Sequence, residues 1–73
     1  MGKDNTLAIV GKNIKTALVD NEMTQADLAQ LVGVSTQTVN AWCNGNADMS
    51  FEKAQRVAKV LGWPLDELAG HTN

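Results

Sequence analysis

The sequence predicts an all-α fold, a compact domain of five short helices in which the second and third cross. Three observations carry that expectation. Apolar residues recur at three- and four-residue spacing along most of the chain. Thr or Ser stands before several of these stretches and Gly closes them. The length of 73 residues allows one domain with one small core.

The first helix is expected from about Thr6 to Asn21, with Val10, Ile14, Ala17 and Leu18 on one stripe and Lys12, Lys15 and Asp20 off it. Thr24 sits where an N-cap belongs, with Asp27 three residues on in a capping-box arrangement. Met23 and Leu28 flank that cap as a hydrophobic staple. The second helix then runs from Gln25 to about Val32, offering Leu28, Ala29, Leu31 and Val32 to the core. Gly33 follows, where a left-handed residue is needed. Ser35 caps a third helix over about Thr36 to Asn44, ending at Gly45, with Val34 and Val39 as its staple. Asn44 to Asp48 make a loop, and Ser50 is the next cap.

The fourth helix sets Ala54, Val57, Ala58 and Leu61 on one side and Lys53, Arg56 and Lys59 on another, and Gly62 stops it. Pro64 opens a last short helix that Leu65 and Leu68 pin to the core. One domain over residues 1–73 is expected, ordered from about 6 to 69, with short tails; His71, Thr72 and Asn73 form the C-terminal one.

Composition narrows the classes. An apolar share of 44% is too high for a disordered chain. No apolar run approaches membrane-spanning length and no signal segment opens the chain, so a cytoplasmic protein with no membrane partner is expected. The single Cys43 cannot form an internal disulfide and, beside the core, reads as an inert small hydrophobe. One His and one Cys cannot make a zinc site, and no cofactor is expected. With no convergent titratable set and no phosphate-binding glycine loop, the chain does not read as an enzyme.

The segment Gln25 to Asn44, QADLAQLVGVSTQTVNAWCN, carries the function. Two capped helices three residues apart must cross steeply, and the small Ala29 lets them approach. A unit of that shape, a helix-turn-helix, places its second helix in the DNA major groove. Val39 and Trp42, three apart, turn inward and leave Thr36, Gln37, Asn40 and Ala41 outward. Gln or Asn can bridge adenine N6 and N7, and Ala or a Thr methyl can pack on a thymine methyl. Gln37 is the expected main base reader. The net charge of −2 and the absence of Lys or Arg between Lys15 and Lys53 stand against an ordinary basic binder. Helix N-termini offer free N–H groups and partial positive charge instead, which brings in Thr24, Gln25 and Ser35. Asn46 in the loop and Lys15, or Lys12 from the same helix, complete the phosphate set expected from the residues themselves.

These residues resemble the phage repressor/Cro (XRE-type) helix-turn-helix family over roughly Ile14 to Leu68. The resemblance rests on MTQADLAQLVGVS, the Asn-Gly after the third helix, MSFEKAQRVAKVLG and the closing PLDEL. It implies a lambda-repressor-like domain, a sequence-specific transcriptional regulator, and a homodimer on a palindromic double-stranded operator. It also implies that Gln25 and Asn44 hold phosphates and that the outward positions of the third helix read bases. The dimer contact is expected near Trp63, Pro64 and Leu65, from apolar content and family habit. Trp63 has two open roles, a staple to Leu68 or a dimer contact. The chain departs from the family at Leu18 and Cys43, where many members carry a buried Arg–Glu pair; here the two apolar residues are expected to touch. Asp48 stands in a loop that is often basic in relatives.

Bland alternatives attach to the same residues. Gln37 and Asn40 also suit an ordinary solvated face, and Trp42 belongs to the core rather than to a stacking platform. The rival function is a protein-interaction module of the same fold, an antitoxin or bridging factor with little DNA affinity, favoured by the missing basic residues.

Overall fold

Capping chemistry sets the element boundaries. The computed structural model describes residues 6–68, in the order α1 (Thr6–Asp20), α2 (Gln25–Val32), α3 (Thr36–Cys43), α4 (Phe51–Leu61) and α5 (Leu65–Leu68). No strand occurs among the described residues. The fifth element is a single turn, so the domain has four full helices and a closing turn where five helices were expected. The expected tail at His71, Thr72 and Asn73 lies outside the described residues.

At α2, Thr24 Oγ1 accepts from the Asp27 backbone N–H at 3.1 Å, and Asp27 Oδ2 accepts from the Thr24 N–H at 3.0 Å. The capping box is complete. Ser35 accepts from the Thr38 N–H, and Ser50 from the Lys53 N–H, in the same way. The exits share a design too. After α2 the N–H groups of Gly33 and Val34 both reach Ala29 O, and after α4 those of Gly62 and Trp63 reach Ala58 O. Gly33 and Gly62 hold φ of 88° and 74°, the left-handed region such an exit requires. After α1 the same turn falls on Glu22, whose φ is 54°.

The core draws on every element. Ile14, Ala17 and Leu18 of α1 meet Leu28, Ala29 and Val32 of α2, Val39, Trp42 and Cys43 of α3, Val57, Ala58 and Leu61 of α4, and Leu68. Each large member contributes about 1.5–3 kcal/mol by leaving water. Leu31 is a correction: offered to the core by its spacing, it is 60% exposed. The buried arc of α2 runs through positions 28, 32 and 29, and Leu31 lies about 60° outside it.

Two asparagines tie the ends of this bundle to α1. Asn13 Nδ2 donates to Leu68 O at 2.8 Å and Glu67 O at 3.1 Å. Asn21 Nδ2 donates to Leu61 O at 3.0 Å and Ala17 O at 2.8 Å. Helix-terminal carbonyls lack partners inside their own helices, and these amides supply them. Among the described residues no buried side-chain polar atom lacks a partner.

Candidate nucleic-acid interface

The position of α3 follows from what its inner face must do. Val39 is fully buried and Trp42 is 4% exposed, which fixes the rotation of the helix about its axis. Thr36, Gln37 and Asn40 then fall on the exposed face, and Ala41 sits half-buried at its edge. The expected reading ridge is therefore on the surface, with Gln37 exposed.

A close contact with α1 sets where α3 ends. A Cβ added at Gly11 would lie 2.5 Å from the carbonyl oxygens of both Trp42 and Cys43. Only a glycine lets the two helices approach so far. Gly45 holds φ 71°, and a Cβ there would meet Ala8 Cα at 3.3 Å, a looser approach than at Gly11. Gly11 was not among the residues singled out from the sequence. Its signal was an isolated glycine inside an otherwise helical stretch, a feature that suggests close packing.

This approach makes a shallow groove lined by Ala8, Lys12, Lys15, Cys43 and Asn44. Two exposed lysines of α1 thus border the C-terminal end of α3, beside Asn44. Cys43 faces the same groove but is buried; burial pushes its thiol up from the ordinary range, while nearby Lys15 pulls it the other way. Leu18 and Cys43 are members of one apolar cluster.

The polar side chains of the unit are joined to one another. Asn40 Nδ2 donates to Gln25 Oε1 at 3.1 Å, bridging α3 to the first residue of α2. Asn44 Nδ2 donates to Asn40 Oδ1 at 3.0 Å. Ser35 Oγ lies 2.9 Å from Thr38 Oγ1. The hydroxyls of Thr24 and Ser35 accept as caps, and the Thr24 hydroxyl still carries a proton to give. The first backbone N–H groups of α2 and α3 have no partner inside their helices by geometry. Asn46 is exposed in the following loop, where its backbone N–H bonds Ala41 O.

The expected dimer surface looks different. Trp63 and Leu65 are half-buried and packed against the core, while Pro64 is exposed. The large exposed apolar residues are Val19 at 77%, Phe51 at 69%, Leu31 at 60% and Ile9 at 42%. Leu65 also lines a cavity of about 130 Å³ with Leu7, Val10, Trp42 and Met49. Among the described residues no cluster of His, Cys, Asp and Glu could hold a metal ion, and no helix is long and apolar enough to cross a membrane.

Comparison with known proteins agrees with this geometry. A family model described as helix-turn-helix matches residues 14–68. The chain is 36% identical over 62 residues to the repressor protein CI of Enterobacteria phage phi80, a match covering 85% of this chain and 26% of the repressor. It therefore spans about a quarter of that relative's length. It is 38% identical over 48 residues to an uncharacterized HTH-type transcriptional regulator of Methanocaldococcus jannaschii, covering 66% of this chain and 73% of that protein. Among solved structures, the SOS-response transcriptional repressor LexA from Eubacterium rectale superposes with a TM-score of 0.84 at 35% identity, over 94% of this chain and 73% of that one. Sequence match, two capped helices and the left-handed turn between them converge, and the chain belongs to the XRE-type helix-turn-helix family.

Proposed function

We propose that the chain is a transcriptional regulator that binds duplex DNA, with α3 entering the major groove. One observation carries this: α3 buries Val39 and Trp42 and leaves Thr36 and Gln37 exposed as an uncharged ridge. Exposed helix faces usually carry Glu and Lys. A face of hydroxyls and amides suits base edges, which offer paired donors and acceptors. Gln37 is the main reader, with Thr36, Asn40 and Ala41 around it. Thr24, Gln25, Ser35, Asn44, Asn46 and Lys15 hold the phosphate backbone.

The repressor and regulator names of the relatives support the same reading. The reading includes a homodimer on a palindromic operator, with recognition helices about 34 Å apart and a contact near Trp63, Pro64 and Leu65. Pro64 and the exposed parts of the half-buried Trp63 and Leu65 would contribute to that contact. One domain over residues 1–73, cytoplasmic and without enzymatic activity, completes the proposal.

Fluorescence anisotropy with a duplex selected from a random library tests it. A Kd below about 1 μM at low salt, weakened in Gln37→Ala, is the expected result. The gap in Lys and Arg between residues 15 and 53 favours the rival interaction module. No binding to any duplex, with a partner protein co-purifying, would decide for it.

A further inference from the structure

Asn40 stands in the centre of the reading ridge, yet its amide is already engaged on both sides. Its Nδ2 donates to Gln25 Oε1, and its Oδ1 accepts from Asn44 Nδ2. The two partners are the residues placed on phosphates at the opening of α2 and the close of α3. An amide carries two N–H donors and one oxygen. Because Gln25 spends its oxygen on Asn40, its NH2 group keeps both donors. Asn44 spends one N–H and keeps the other. The chain of amides is therefore polarised, with free donors at both ends. Phosphate oxygens only accept, so this polarity suits the DNA backbone. A region without lysine or arginine gains oriented donors in their place.

We infer that Asn40 is a positioning residue, which fixes the amides of Gln25 and Asn44 as paired donors to the DNA backbone. Base discrimination then falls to Gln37, with Thr36 and Ala41 around it. The inference rests on the DNA-binding reading above and assigns Asn40 a different part within it. Turning its amide to a base would cost both internal bonds, so the free protein already favours the phosphate role.

The test compares wild type, Asn40→Ala, Gln25→Ala and the double variant on the selected duplex and on every single-base-pair change of it. Asn40 is exposed, and unchanged thermal unfolding of each variant confirms the fold. Asn40→Ala should weaken binding about three- to tenfold by a similar factor on every duplex, leaving the order of preference intact. The double variant should fall clearly short of the product of the two single losses, because Asn40 acts partly through Gln25 and keeps only its Asn44 share once Gln25 is gone. In the free protein, Asn40→Ala should also shift the side-chain amide NMR resonances of both Gln25 and Asn44. Collapse of preference at one base pair, losses that multiply, or unmoved amide resonances would overturn the inference. A wild-type protein that binds no duplex defeats the DNA reading itself, a different and recognisable failure.

Discussion

α3 and α4 are built alike on the inside and unlike on the outside. Each begins at a serine cap and buries three residues, Val39, Trp42 and Cys43 in one, Val57, Ala58 and Leu61 in the other. The outer face of α4 carries Glu52, Lys53, Arg56 and Lys59, with Arg56 paired to Glu52 at 3.5 Å and three of the chain's six basic residues in one helix. The outer face of α3 carries no formal charge at all. Solvation alone explains the first arrangement, since exposed pairs of this kind contribute little. It does not explain the second. On the proposed reading, the charged face is the one that needs no specificity, and the directional hydrogen-bonding groups stand on the face that meets DNA.

The largest test of that contrast is on the shared interior. Trp42→Ala should cost about 3–5 kcal/mol of stability, read by urea unfolding, because it leaves a large void in the core. A loss under 1 kcal/mol would mean that α3 is not anchored by this face. Gly11→Ala comes next. In an ordinary helix that change stabilises, but here the added carbon meets two carbonyl oxygens at 2.5 Å. A loss of about 2–3 kcal/mol and a lower Tm are expected.

Changes on the outer faces should separate cleanly from these. Gln37→Ala should leave Tm unchanged while costing about 1–3 kcal/mol of discrimination at one base pair. The same result from changing Arg56 would erase the distinction between the two helices. Salt dependence sharpens it further. Lys12 and Lys15 border the groove beside Asn44, so changing both to Gln should reduce the slope of log K against log salt by about 1.8, whereas Arg56→Gln with Lys59→Gln should leave it alone.

The parts of this fold legible in the sequence are those decided within a few residues. Thr24, Ser35 and Ser50 announced their caps and Gly33 and Gly62 their exits, because a cap or a left-handed turn is satisfied by its own neighbours. The rotation of α3 followed from Val39 and Trp42 at helical spacing. What escaped depends on contacts between distant segments. Leu31 sits just beyond an arc whose width is set by how α2 is covered. The amides of Asn13 and Asn21 reach 55 and 40 residues along the chain, and nothing local distinguishes them from solvated side chains. The bond from Asn40 to Gln25 likewise needs the crossing of two helices before it exists. The Leu18–Cys43 contact expected from the family is best measured by a double-mutant cycle, in which a coupling above about 0.5 kcal/mol marks direct packing.

Glu22 gives the domain an adjustable point. Of the four left-handed corners among the described residues, it is the only one with a side chain, and that conformation costs an ordinary residue about 1 kcal/mol. Glu22→Gly should therefore raise the unfolding midpoint modestly, a gain of about 0.5–1 kcal/mol. Since the residue belongs to neither α2 nor α3, robustness and recognition become separately tunable. A hardened background of that kind would let damaging substitutions on α3 be measured in a protein that still stands.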